Sequence, residues 1–186
     1  MPQWPRRRRA ARVVVFDPLG RLLLISAKDP GSSDGRNWWE IPGGGIDPGE
    51  QSHETARREL WEEAGISEAR IGPVVWTQTV AFTFGGWHFD QDEWIHIASC
   101  DGRSDGPGGL ESLEALAFGE QRWWHPEELI ASGERTIPTA WQSSCRGVLD
   151  RLPALLEGDS SHEQMDISPT QEHIRSWQNH STWQNH

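Results

Sequence analysis

Three glutamates, Glu59, Glu62 and Glu63, lie close together in the segment GGGIDPGEQSHETARRELWEEAGI, residues 43–66. If the segment is helical, their carboxylates fall within roughly a 100° arc on one side of the helix. Glu59 and Glu63 are then one turn apart, and like charges at that spacing repel each other. Arg58 stands one turn before Glu62 and offsets one charge, but not three. Because carboxylate oxygens suit a hard divalent cation such as Mg²⁺, the segment predicts a metal–phosphate site.

Three consecutive glycines, Gly43, Gly44 and Gly45, precede the acidic segment. Glycine lets the backbone pass close to a neighbouring element and adopt φ values that are closed to other residues. These glycines are therefore candidate substrate-binding positions beside the carboxylates, and Glu50 in the following loop can reach toward the same place. Taken singly, each feature also fits a solvated helix preceded by a glycine turn, whereas the whole arrangement favours the metal site.

Several predicted elements would position these residues. The segment from Gln51 to Ala64 is predicted to be a helix, because small and apolar residues recur at helical spacing and Gly65 follows where a C-terminal cap belongs. A β-branched and apolar pattern predicts hairpins around the turn DPLG and around Gly85-Gly86. The remaining predictions are a short strand from Trp38, a strand at 121–124, a short helix from Pro126 and a final helix at 139–152.

The acidic segment resembles the Nudix box, the hydrolase signature G-x₅-E-x₇-R-E-U-x-E-E-x-G-U, in which U is an aliphatic residue. Every defined position is matched, in order by Gly44, Glu50, Arg58, Glu59, Leu60, Glu62, Glu63, Gly65 and Ile66. A signature with this many specified positions is a poor candidate for a chance match. The flanking strand pattern also resembles a Nudix domain, over roughly residues 12–152.

The resemblance implies an α/β fold, a Nudix-type α/β/α sandwich around a mixed β-sheet. It also implies hydrolysis of a nucleoside diphosphate linked to another group X, with a nucleoside triphosphate, a nucleotide sugar and a dinucleotide all open. Glu59, Glu62 and Glu63 would be the ligands of Mg²⁺, or of Mn²⁺ in its place, with Glu50 supporting the metal site. Arg58 would hold the glutamates by an ion pair, and water attacking phosphorus would be activated by the metal.

Candidates for a further ligand or a general base lie outside the box. Glu120 is the first choice and Glu93 the second, while Glu111 and Glu114 belong to the same set; solvated charge is the alternative for all of them. Trp39 lies just before the glycines and is the first candidate for a wall that stacks on a nucleobase, because purines stack well on indole.

Charge and hydropathy narrow the function classes. The chain of 186 residues has a formal net charge of −11, which argues against general binding to nucleic acid. The run Arg6–Arg9 is interpreted as part of a mobile lead, with a phosphate-gripping arm as the alternative.

No apolar run approaches the length of a membrane span and no secretory signal is visible. We therefore expect no membrane association and a cytoplasmic location.

The chain is predicted to have three parts: a basic flexible lead at 1–11, a Nudix hydrolase domain at 12–156 and a polar tail at 157–186. The tail has few apolar anchors, so we expect disorder or loose packing there. It repeats WQNH at 177–180 and 183–186. That repeat is interpreted as low-complexity sequence rather than as a metal-binding or docking peptide. The expected partner is a small-molecule nucleotide, and a homodimer stays open because many Nudix relatives pair.

Two other functions are alternatives to hydrolysis. A Nudix-fold module could sense a nucleotide without cleaving it, but such modules tend to lose box glutamates, and all four are present here. An RNA-associated role, including decapping-like hydrolysis, would use Arg6–Arg9. The acidic net charge and the isolation of that basic run weigh against the second alternative.

Overall fold

The computed structural model describes residues 7–33, 35–138, 141–159 and 161–168. The elements in chain order are β1 Arg8–Phe16, β2 Leu22–Lys28, β3 Asn37–Glu40, β4 Gly43–Gly45, α1 Ser52–Ala64, β5 Ala69–Phe84, β6 Trp87–Cys100, α2 Ser112–Ala117, β7 Phe118–Trp124, α3 Pro126–Ser132, β8 Thr136–Ile137, α4 Trp141–Leu156 and β9 Met165–Asp166. The predicted hairpins and the predicted acidic helix are confirmed. The WQNH repeats lie outside the described residues.

The strands form one mixed sheet. Its order is β8-β3-β2-β1-β6-β5-β9, with β4 paired to β1 and β7 paired to β2. β1 runs parallel to β6, whereas the β1–β2 and β5–β6 pairs are antiparallel. The glycine strand β4 pairs with the beginning of β1, opposite Ala10, Ala11 and Arg12. This pairing places the glycines next to the central strand of the sheet.

Both faces of the sheet are covered by helices, which confirms the α/β/α sandwich. Along β1, Val13 and Val15 pack with Leu60 of α1 on one face. Val14 and Phe16 alternate with them and belong to the other core, against which α4 residues pack. This alternation follows from the period-two geometry of a strand that is buried on both sides. The acidic helix is thus fixed on one face of the sheet by its own apolar side.

The first strand begins four residues earlier than the predicted domain boundary at residue 12. Ala10 and Ala11 are buried, so this part of β1 is already packed inside the domain. The guanidinium of Arg8 lies 5.7 Å from the ring centre of Phe89. That of Arg9 lies 5.1 Å from the ring centre of Trp94. Residues 8–11 are therefore part of the domain rather than of a flexible lead, because aromatic residues of β6 pack against their side chains.

Part of the polar tail is also built into the fold, contrary to the expectation for residues 157–186. The short strand β9 pairs in parallel with β5. Ile167 is buried, and its backbone N–H donates to the Thr77 carbonyl oxygen at 2.8 Å. The His162 ring contacts the Val74 carbonyl oxygen at 3.0 Å. One apolar anchor and a few backbone bonds thus suffice to dock residues 161–168 on the sheet edge. None of the described helices is long and apolar enough to cross a bilayer.

Candidate active site

The helix α1 carries the acidic side chains and has a defined start and end. At its start, Glu54 Oε2 accepts a hydrogen bond from the backbone N–H of Gln51 at 2.7 Å. At its end, Gly65 adopts φ of +69° and its N–H bonds to the Trp61 carbonyl. A left-handed residue at this position favours glycine, which explains the end of the predicted helix. The rotation of the carboxylates relative to the sheet is set by buried Leu60 on the opposite side.

Arg58 joins three of the box carboxylates. Its guanidinium donates to both oxygens of Glu50, at 3.0 and 3.1 Å. One of its terminal nitrogens donates to Glu59 and to Glu62, each at 2.9 Å. Another donates to the Gly45 carbonyl oxygen at 2.9 Å. The guanidinium therefore ties the glycine strand, the following loop and the helix together, and it contacts more carboxylates than the sequence spacing had indicated.

A second set of carboxylates lies deeper: Glu59, Glu63 and Glu114 each offer an oxygen within 4.8 Å of the others. Glu59 and Glu63 are only 4% and 2% exposed. Glu63 Oε2 accepts from the Gly43 N–H at 2.9 Å, whereas its buried Oε1 has no hydrogen-bond partner among the described residues. A buried, unsatisfied carboxylate oxygen is costly unless a cation meets it. The site thus converges on the position that a cation would occupy.

The glycines are required by close approach. A Cβ on Gly43, whose φ is +150°, would lie 2.5 Å from the Ala11 carbonyl oxygen and from Arg12 Cα. A Cβ on Gly44 would overlap the Glu59 carboxylate. The backbone at Gly44 thus lies against the Glu59 side chain of the helix, while Gly43 lies against β1. The assignment of Gly43, Gly44 and Gly45 to substrate binding stays a prediction.

The electrostatics separate the carboxylates into two kinds. Burial raises the pKa of the Glu59 carboxyl to about 7, with Glu114 and Glu62 adding to the rise and Arg58 opposing it. Burial, and then the neighbouring Glu59, raise the pKa of Glu63 well above its usual value. Burial also raises the pKa of Glu114. By contrast, the hydrogen bonds from Arg58 lower the pKa of Glu50 to about 2. Within the cluster Arg58 contacts Glu59 alone, so Glu63 and Glu114 lack, among the described residues, the ion pair that Glu50 has.

This donor set fits a hard divalent cation. Three carboxylates converge, and one of them has an unsatisfied buried oxygen. Burial first, and then repulsion between neighbouring carboxylates, raises their pKa values, and a bound cation would offset both effects. Glu50 and Glu62, which the resemblance also places at the metal, instead pair with Arg58 beside the cluster. Glu50 also accepts hydrogen bonds from the Thr55 hydroxyl and the Asp47 N–H.

Three other predicted site residues lie outside the cluster. The side chain of Glu120 is exposed, and only its backbone N–H makes a described bond, to Ser26 Oγ. Glu93 is buried in another network, where it accepts from Arg12 at 3.0 Å and also contacts glutamine side chains. Trp39 is buried and packs edge to face on Trp124, with 5.3 Å between ring centres. The ring of Trp39 is therefore a core contact and its face does not form an open wall for a base.

Glu114 lies in the carboxylate cluster, although the sequence favoured Glu120 and Glu93 over it. The spacing Glu111-x-x-Glu114 matches the reciprocal pattern of a capping box, and the structure shows Glu114 Oε2 accepting from the Glu111 N–H at 2.9 Å. The pattern identifies the start of α2 within a stretch that otherwise reads as a loop. It could not have shown that the Glu114 carboxylate lies beside those of Glu59 and Glu63, because that proximity depends on the fold.

Comparisons with known proteins agree with this geometry. The family model described as NUDIX domain matches residues 6–143. The RNA pyrophosphohydrolase of Erythrobacter litoralis is 30% identical over 135 residues, which cover 67% of this chain and 79% of that protein. Nudix hydrolase 25 of Arabidopsis thaliana is 30% identical over 105 residues, or 50% of this chain and 60% of the plant protein.

Solved structures show the same fold. The MutT protein from Methanosarcina mazei Go1 superimposes with a TM-score of 0.55 at 20% sequence identity, and the match covers 79% of this chain and 95% of the archaeal one. At this identity the likeness concerns the arrangement of strands and helices, and it agrees with the mixed sheet and the two helical layers described above.

Proposed function

Because the chain belongs to the Nudix hydrolase family, we propose that it hydrolyses the pyrophosphate bond of a nucleoside diphosphate linked to a further group X, with Mg²⁺ as the cofactor. The observation that supports this proposal most strongly is the convergence of Glu59, Glu63 and Glu114, in which Glu63 Oε1 is buried without a partner. An ordinary solvated acidic helix would expose these oxygens to water instead.

In this proposal Glu59, Glu63 and Glu114 hold the cation. A bound divalent cation supplies neutralisation of the diphosphate and lowers the pKa of the water that attacks phosphorus. The protein residues keep their oxygens in place: the Gly43 N–H fixes one oxygen of Glu63, and Arg58 fixes Glu59. A carboxylate of the same cluster takes the proton of the attacking water.

Glu50 and Glu62 have a different role in this proposal. Both accept hydrogen bonds from Arg58, so they orient its guanidinium, which in turn holds Glu59 and the carbonyl of Gly45. They act on the cation through Arg58 rather than as its ligands. Because positioning residues behind a metal ligand commonly change affinity by about 10–100-fold, their loss should still be measurable.

The identity of X follows neither from the box nor from the carboxylates, since in this proposal these residues hold the cation or Arg58 and none of them contacts X. A nucleoside triphosphate, a nucleotide sugar and a dinucleotide are candidates, and the similarity to bacterial RNA pyrophosphohydrolases adds RNA as a fourth. We favour a small nucleotide because the net charge of −11 opposes binding of a long polyanion.

A substrate panel tests the proposal. The purified protein is assayed with members of all four substrate classes, with Mg²⁺, Mn²⁺ or a chelator present, and released phosphate and nucleoside monophosphate are measured. We expect hydrolysis of at least one class that needs the cation. Glu63→Gln should lower turnover by at least about 10-fold, since loss of a ligand should cost no less than loss of a residue behind one.

The same variant controls for folding. Replacing a buried carboxylate that has no counterion by a neutral amide should leave Tm unchanged or slightly higher. Equal turnover by Glu63→Gln and the parent would contradict the assigned site. Nucleotide binding without cleavage of any panel member would instead support the non-catalytic sensing module.

A further inference from the structure

The segment Asp105–Gly109, called the glycine segment below, lies on the C-terminal turn of α1. The Gly108 N–H bonds to the carbonyl oxygens of Trp61 and Glu62, at 3.1 and 2.9 Å. The Gly109 N–H bonds to the Glu62 carbonyl at 3.0 Å. Carbonyls in the last turn of a helix need partners from outside the helix. The glycine segment supplies these partners to the helix that bears Glu59 and Glu63.

The approach is close enough to exclude a side chain at one position. A Cβ on Gly108 would lie 2.6 Å from the Trp61 carbonyl oxygen and 2.8 Å from its indole Cε2. The backbone of α1 cannot yield easily, since it is packed on the sheet through buried Leu60. A Cβ on Gly109 would meet its nearest neighbour, the Trp61 ring, at 3.4 Å, which is an ordinary contact. Two adjacent glycines thus differ sharply in what they tolerate.

The glycine segment is connected to Glu114 with little slack. Leu110 is the only residue between Gly109 and Glu111, and Glu111 is the N-cap residue of α2. The Glu111 N–H donates to Glu114 Oε2 at 2.9 Å, so the start of α2 and the Glu114 carboxylate are fixed together. A shift of Gly108 away from α1 would therefore move Glu114 relative to Glu59.

We propose that Gly108 is a positioning residue, whose contact with the end of α1 sets the distance between the Glu114 carboxylate and the Glu59–Glu63 pair. In this arrangement the carbonyls of Trp61 and Glu62, at the C-terminal end of α1, hold Gly108 and thereby position Glu114 beside the two glutamates of the same helix. This inference rests on the proposed function in one respect, namely that Glu114 binds the cation.

Four variants test the link: G108A, the matched control G109A, Glu114→Gln and the double variant G108A/E114Q. The dissociation constant for Mn²⁺ is measured by calorimetry and Tm by thermal unfolding. We expect G108A and Glu114→Gln each to weaken Mn²⁺ binding by about 10–100-fold. G109A should bind as the parent does, within about twofold. The double variant should bind no more weakly than Glu114→Gln alone, because both changes remove the same ligand.

The outcomes separate this inference from the proposed function. If Glu114→Gln binds Mn²⁺ as the parent does, the assignment of Glu114 is wrong and the role of Gly108 is wrong with it. If Glu114→Gln weakens binding while G108A does not, or if the two losses add, only the role of Gly108 is overturned. A drop in Tm for G108A with unchanged Mn²⁺ affinity would show a purely structural contact.

A second variant covers the case in which G108A does not fold. One glycine inserted between Leu110 and Glu111 adds slack to the connection without adding a side chain against α1. We expect weaker Mn²⁺ binding, by a factor similar to that of Glu114→Gln, with Tm close to that of the parent. Parent-like Mn²⁺ binding by the insertion variant would overturn the proposal.

Discussion

Arg58 carries one positive charge and contacts three carboxylates, whereas Glu63 and Glu114 form no ion pair among the described residues. Glu50 and Glu63 are therefore the two electrostatic extremes of the site, and Glu59 lies between them because it is buried in the cluster and also contacts Arg58. The hydrogen bonds from the Arg58 guanidinium stabilise the charged form of Glu50 and lower its pKa to about 2. Glu63 is desolvated, and its pKa is raised. A site of this kind is destabilising until a cation binds, which is the property that a metal-dependent enzyme would use.

The pH dependence of metal binding follows from Glu59. Its pKa is about 7 in the folded protein against an ordinary value of 4.5, so without metal its contribution to the free energy of unfolding is largest below pH 4.5. That contribution is lost as pH rises through about 7. The cation competes with the proton, so we expect the affinity for Mn²⁺ to be up to about 100-fold weaker at pH 5 than above pH 7.

The measurement is the rise in Tm caused by a fixed concentration of Mn²⁺ between pH 5 and pH 8, which should grow with pH. In Glu59→Gln this growth should be reduced, because one titrating group has been removed. A rise in Tm that is the same at pH 5 and pH 8 would contradict the assignment of Glu59 as a ligand.

The box residues could be predicted from the sequence because their spacing on one helix determines their geometry. Glu59, Glu62 and Glu63 lie on one helix face as expected. Their division between Arg58 and the deeper cluster was not predictable, because it depends on which carboxylates the glycine strand covers. Trp39 was placed wrongly because proximity in sequence to the glycines does not reveal which face of β3 is packed.

At the scale of elements, the short strand β4 lies directly against the carboxylates of α1, through Gly43 on Glu63 and Gly44 on Glu59. Gly44→Ala should push the Glu59 carboxylate from its position, since the new Cβ would overlap it. Displacement by about 1 Å near reacting groups can cost about 100-fold in rate, so we expect a loss of that order in kcat/KM. A matched control is Gly147→Ala on α4, where no atom lies within 4 Å of the added Cβ.

The control should keep its activity and gain slightly in stability, because alanine favours a helix more than glycine does. If Gly44→Ala retains parental kcat/KM, the close contact between β4 and Glu59 has no catalytic consequence.

The strand β9 could not be predicted from the alternation of apolar and polar residues. Two residues are too short to show alternation, and β9 pairs with β5 mainly through its backbone, which leaves little trace in composition. The adjacent Ile167 is the apolar anchor, at 6% exposure. We expect Ile167→Ala to lower the free energy of unfolding by about 2–4 kcal/mol in urea titrations, as for other buried aliphatic truncations.

Met165→Ala, two residues away in β9, is the comparison, since Met165 is 50% exposed. It should cost less than about 1 kcal/mol. Similar stability of Ile167→Ala and the parent would mean that residues 161–168 do not contribute to the folded domain.

For the whole molecule, the open matter is whether the basic N-terminus makes this acidic protein a binder of RNA. The fold argues against an independent arm. Arg7 donates to Asp90 and Asp92, at 3.1 and 3.4 Å, so part of its charge is offset within the domain. The next two arginines lie on aromatic rings of β6. Because β1 begins at Arg8, deleting residues 1–11 would remove buried Ala10 and Ala11 and confuse binding with folding.

The informative variant is therefore Arg8→Gln/Arg9→Gln, which keeps the strand, compared with the parent in binding to a 5′-triphosphorylated RNA oligonucleotide. An arm that placed all four arginines of the run on phosphates would give a slope of log K against log salt near about −3, since single strands contribute about −0.7 per contact. We expect a slope no steeper than about −1.5, corresponding to at most two contacts, and a change of less than about one unit in the variant. A slope near −3 that the variant abolishes would establish the basic run as an RNA contact, and it would make RNA, rather than a small nucleotide, the substrate to which the carboxylate cluster should be assigned.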